Sequence, residues 1–143
     1  MRALHISPTF YSPDSVVGGG EKYVLYLCQA GASAAASRGL HLESTLLAFG
    51  TQAGRRSLTD SISMSIISGT PWEPHTISVT ELDACLDGAD VVFVHQCLSA
   101  TGLFAAAHAK LRGKWTFGLD HGGGEHPLAC LLYTSPLALR VMM

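Results

Sequence analysis

The chain has 143 residues, 48% of them hydrophobic and 14% charged, with a formal net charge of -2. That length holds one domain rather than a two-domain enzyme, and so few charges leave no basic face to neutralise a nucleic-acid backbone. Mean hydropathy is high at +0.28, yet the longest apolar run, Ala89 with Val91 to Val94, is interrupted by Asp90 and far too short to span a bilayer, so no transmembrane segment is expected.

Met1 to Pro8 carries one basic residue and then a short apolar stretch, which is not the pattern of a signal peptide and points to the cytoplasm. Ala3 to Ile6 predicts a short buried strand. Pro8 and Pro13 bracket an irregular segment, because proline lacks the N–H that a central ladder needs. From Glu21 the apolar positions Val24, Leu27, Cys28, Gly31 and Ala34 or Ala35 recur at helical spacing, and Arg38-Gly39 supplies a basic last turn and a glycine stop. Gly31 costs about 1 kcal/mol relative to alanine inside a helix, so close packing of the helix on a sheet is expected there.

Ser44 to Phe49 predicts the second strand, closed by Gly50, and the polar segment Thr51 to Asp60 reads as a loop or a short helix. Ile62, Met64 and Ile66 alternate with Ser61, Ser63 and Ser65, the period-two signature of a strand with one wet face. Gly69, Pro71 and Pro74 break the chain. Thr80-Glu81-Leu82-Asp83 then opens a short helix, with Thr80 as its expected cap and Gly88 as its stop. Ala89 to Val94, apolar on both faces, predicts a strand in the sheet centre. Ser99 caps a helix running to about Leu111, and Lys114 to Leu119 forms a last strand ending at Asp120-His121.

Strands alternating with helices predict an α/β fold: a Rossmann-like, doubly wound, mostly parallel sheet with right-handed crossovers. In the usual order of such a sheet, Lys114 to Leu119 is left as an uncovered edge once the later strands are missing, a template for self-association. Cys28, Cys85, Cys97 and Cys130 are too widely spaced for a zinc site or a disulfide scaffold and read as small buried hydrophobes.

Two glycine runs follow apolar runs: Gly18-Gly19-Gly20-Glu21 after the first strand, and Asp120-His121-Gly122-Gly123-Gly124 after the last. Glycine permits positive φ and close backbone approach, and ligands of open α/β sheets bind beyond the carboxyl ends of the strands. Both runs are therefore expected to face one cleft. The first is neither a Walker loop, since Gly20 precedes Glu21-Lys22-Tyr23, nor the dinucleotide fingerprint, since a long loop separates it from its strand. Its amides at a helix start suit an anion. His121 is placed to orient a hydroxyl or stabilise developing charge, with Asp120 beside it, and His95 ends its own strand at the same level. His95, His121 and His126 include no close-spaced ligand pair, so no metal is expected.

Taken in order, Met1 to Pro8, Gly18-Gly19-Gly20-Glu21-Lys22, Arg38-Gly39, Asp90 to His95 and Asp120-His121-Gly122 resemble the N-terminal half of a group 1 (family 4) glycosyltransferase of GT-B architecture. The resemblance covers about residues 1–129. It implies a retaining transferase built from two facing Rossmann-like domains, the first mostly holding a small-molecule, glycan or lipid acceptor and the second a nucleotide-sugar, with no metal or other cofactor. It further implies that Gly18, Gly19 and Gly20 lie near the donor diphosphate and that His121, the catalytic candidate, contacts the transferred sugar. Glu21, His95, Asp120 and Gly122 complete the expected binding set. The family's Glu-x7-Glu signature belongs to the second domain. Glu73 and Glu81 share that separation but enclose Pro74 and lack its context, so they are read as coincidence, and the donor domain is expected to lie outside these residues.

Two rival readings remain open. The run His121 to Gly124 also matches the oxyanion loop of some esterases and lipases, although no Gly-x-Ser-x-Gly elbow is present. A non-catalytic Rossmann-like binding module is the third possibility. Residues 130–143 depart from the α/β pattern and read as a non-native or disordered tail, since Cys130 to Ser135 resembles one translated frame of a transposon-type sequencing adapter. Lys110, Arg112 and Lys114 read as a solvated helix end, and peripheral membrane contact is left open.

Overall fold

The computed structural model describes residues 1–8 and 19–120. Along them the chain forms β1 (Arg2–Ile6), α1 (Gly19–Ala36), β2 (Glu43–Gly50), β3 (Gly54–Ser57), β4 (Ile62–Ser68), α2 (Val79–Asp87), β5 (Val91–His95), α3 (Ala100–Leu111) and β6 (Trp115–Leu119), with a 3-10 turn at Pro74–Thr76. The strands pair in the order β3-β4-β2-β1-β5-β6. All pairings are parallel except β3 on β4. Leaving β3 aside, the chain steps outward from β1 through β2 to β4, then crosses to the other side of β1 for β5 and β6. That is the doubly wound order, and its direction reverses between β1 and β5.

Alternation along each strand sorts the core onto two faces. Leu4, Ile6, Leu47, Val92 and Val94 pack with Leu82 and Leu86 of α2 and Ala105 and Ala109 of α3. Leu46, Ala48, Ile62 and Met64 pack with Val24 and Cys28 of α1 on the opposite face. Because β2 is covered on both sides, Leu46, Leu47 and Ala48 are fully buried in succession, the continuous apolar pattern of an interior parallel strand.

Four local features differ from the sequence reading. The polar segment after β2 is neither loop nor helix: Gly54–Ser57 pairs antiparallel with β4 as an edge strand, its exposed Arg55 and Arg56 standing where no apolar face is required. The first helix starts at Gly19 rather than Glu21, so two of the three glycines lie in its first turn. It ends at Ala36, and Arg38 folds back so that its guanidinium donates to the Ala34 carbonyl at 3.3 Å, while Gly39 takes φ of 69° in the turn. Finally, α2 is capped by Ser78 and not Thr80: the Glu81 N–H donates to Ser78 Oγ, and the Glu81 carboxylate accepts the Ser68 N–H at 2.6 Å. Three other local expectations hold. Ser99 caps α3, Gly88 ends α2, and a Cβ on Gly31 would lie 3.3 Å from Leu42, so that helix turn does pack closely.

Among the described residues β6 closes one edge of the sheet, with Trp115 73% and Phe117 46% exposed. Unpaired strand edges recruit other chains. The isolated chain is expected to self-associate with rising concentration, and Trp115→Lys to suppress that. Sedimentation velocity showing a concentration-independent monomer for the unmodified chain would contradict this.

Candidate functional site at the carboxyl rim

Since β1, β5 and β6 are parallel, Ile6, His95 and Leu119 end at one rim. The connection from β1 to the parallel β2 must return the chain, so α1 begins at that same rim. Gly19 and Gly20 occupy its first turn, where N–H groups have no intrahelical acceptor and the helix dipole is positive. Glu21 stands in that turn as well. His95 is the last residue of β5, and Asp120 directly follows β6. The fold thus brings Gly19, Gly20, His95 and Asp120 to one side of the sheet. Gly18, His121 and Gly122 lie outside the described residues, as do His126, Cys130 and the rest of residues 121–143.

His95 is fully buried and does not act alone. His5, one strand over on β1, places Nδ1 3.1 Å from His95 Nε2, so one ring must donate and the other accept. Both rings lie on the α1 side of the sheet at the point where strand order reverses. They extend into a stack in which His5 lies 4.8 Å from Phe93, and Phe93 5.5 Å from Phe117. Burial lowers the His5 pKa to about 4, so this imidazole stays uncharged at neutral pH. His5 sits inside an apolar run, which hides it in the sequence. Its alternation with Leu4 and Ile6 was the available signal.

Beyond His95 the chain turns sharply. Gln96 has φ of 50°, the left-handed region that a residue with a long side chain rarely enters. Its carbonyl is fixed by Ser99, whose N–H and Oγ donate to it at 2.9 and 2.8 Å. Ser99 Oγ in turn accepts the Gly102 N–H at 3.0 Å, so the strained turn and the α3 cap are one hydrogen-bonded unit. Gly102 lets that unit close: a Cβ there would lie 2.4 Å from the Gln96 carbonyl oxygen. Cys97 follows, bonded through its N–H to the Leu119 carbonyl, and its thiol is pushed up first by burial and then by the Asp120 carboxylate. The ends of β5 and β6 are thereby held together at the rim.

Among the described residues, no group of three or more His, Cys, Asp or Glu side chains is arranged to hold a metal ion. No helix there is long and apolar enough to cross a membrane. Cys28 and Cys97 are buried, while Cys85 is only partly so. No protein-family model and no curated protein matches the chain.

Proposed function

We propose that the chain is the acceptor-side Rossmann-like unit of a retaining GT-B glycosyltransferase, which moves a sugar from a nucleotide-sugar to an acceptor. The observation that supports this best is the common rim of α1 and β6, where helix-start amides and Asp120 stand on one side of a doubly wound sheet. In this reading the amides of Gly18, Gly19 and Gly20 offset charge on the donor diphosphate as helix N-termini do for other anions. His121, following Asp120, meets the transferred sugar. Glu21, His95 and Gly122 complete the pocket wall. The buried His5 ring, bonded to His95, backs that wall from within the sheet.

Transfer requires donor and acceptor to be held together, and in this reading the nucleotide is mostly bound by a second unit. The 143-residue chain alone is expected to release no sugar from a panel of radiolabelled nucleotide-sugars offered with simple acceptors. Detectable transfer by the purified chain would contradict it. The gene read from independent source DNA tests the family directly. A downstream Rossmann-like unit bearing Glu-x7-Glu supports the transferase, whereas a Gly-x-Ser-x-Gly elbow or an early stop codon replaces it with the hydrolase or the binding module.

A further inference from the structure

The serine alternation of β4 is not explained by the rim. An interior strand of a parallel sheet is normally apolar on both faces, yet Ser63 and Ser65 face the α2 side. In register beside them stand Thr45 of β2, opposite Ser63, and Arg55 of β3, opposite Ser65. Thr45, Arg55 and Ser65 line, with Cys85 of α2, Arg2 and Glu43, a recess of about 370 Å³, and Ser63 stands behind it. The volume is within the range of small-molecule pockets. Arg2 and Glu43 begin their strands, so the recess opens at the amino ends, away from the carboxyl rim.

Its polar groups are connected and point to one kind of occupant. Thr45 Oγ1 and Ser63 Oγ are 3.2 Å apart, Arg55 Nη2 donates to Ser63 Oγ at 3.5 Å, and Ser65 Oγ lies 3.9 Å from Cys85 Sγ. Of the charged groups, Arg2 is held by Asp90, whose carboxylate lies 3.9 Å from its guanidinium, and Glu43 meets His41 at 3.1 Å. Arg55 makes no ion pair among the described residues. A guanidinium beside rotatable hydroxyl donors matches a phosphate, which accepts from several donors at once. Glu43, at the other wall, repels a second phosphate and accepts hydroxyl donors instead.

We propose that this recess is a second ligand site, taking a phosphorylated polyol whose phosphate is held by Arg55, Thr45 and Ser65 and whose hydroxyls donate to Glu43. Ser63 is a positioning residue, bridging Thr45 and Arg55. The site is independent of the transferase reading, because it shares no residue with the rim.

Cys85 at the wall supplies the readout. Alkylation of each cysteine of the full chain by iodoacetamide is followed by peptide mass spectrometry, with buried Cys28 and Cys97 as internal references and ionic strength held constant with potassium chloride. Glucose 6-phosphate is expected to slow Cys85 alkylation saturably, by about tenfold at about ten times its Kd, and inorganic phosphate to do so more weakly. Arg55→Ala should abolish the protection. Arg56→Ala should retain it, because Arg56 pairs with Met64 and so belongs to the opposite face. The proposal is overturned if neither soluble probe protects, if Arg56→Ala is as damaging as Arg55→Ala, or if only phosphatidic acid vesicles protect.

Discussion

Gly102→Ala is expected to destabilise the chain by about 3 kcal/mol, the upper part of the range for overpacking a tight site. The direction is not obvious, because alanine is favoured over glycine inside a helix by about 1 kcal/mol. Here the contact decides. The added carbon would meet the Gln96 carbonyl oxygen at 2.4 Å and the Cys97 Cα at 3.0 Å, both backbone atoms with no rotamer to escape into. Relief requires moving the Gln96 turn, which also loosens the Ser99 cap bonded to it. Urea unfolding should show the transition midpoint falling with an unchanged slope. An unchanged or higher midpoint would mean that the Gln96 turn yields freely and is not a fixed wall of the rim.

Acid should weaken the fold through His5. Its pKa is about 4 in the folded chain against an ordinary value of 6.5, so between those values the unfolded chain binds a proton that the folded chain refuses. Through His5 alone, stability is therefore greatest above pH 6.5, declines as pH falls through that window, and loses nothing more below about 4. The full loss is about 3 kcal/mol, at about 1.4 kcal/mol per pH unit. His5→Phe preserves a ring to stack on Phe93 while removing the titrating nitrogen. Thermal melts should show this slope in the unmodified chain and a flatter one in the variant. Equal slopes in both would place the acid sensitivity elsewhere.

Where burial dictates the side chain, the fold was readable from residues alone. Val91 to Val94, Leu46 to Phe49 and the β4 alternation each announce a strand because an interior strand must be apolar on the faces it buries. Ser99 was recognisable as a cap because its hydroxyl answers a backbone donor three residues on. Thr80 is not the cap, although Ser78, Thr80 and Glu81 all suit a helix start: the Ser78 N–H bonded to the Ser68 carbonyl sets Ser78 in that place. Strand β3 was hidden, since an edge strand need bury nothing and Arg55-Arg56 carries no pattern. The beginning of α1 was hidden too, because glycine disfavours helix and the tertiary fold overrides that preference.

The rim itself was legible in part. Gly19, Gly20, His95 and Asp120 are marked in sequence by what precedes them, an apolar strand reaching its end. His5 and Gly102 act through partners that are distant in sequence or belong to a turn, and neither residue type announces such a role. Glu81, which could be mistaken for half of a donor motif, is occupied instead in bonding Ser68 of β4.

The most direct measurement is an amide-resolved NMR titration of the chain with nucleoside diphosphate sugars. Weak but saturable shifts are predicted at Gly19, Gly20, the Gln96–Cys97 turn and Asp120, with no shift at the amino-end recess around Arg2 and Gly88. Shifts confined to that opposite end, or none at the rim at concentrations well above those of cellular nucleotide-sugars, would contradict a sugar-phosphate cleft at the carboxyl ends of β1, β5 and β6.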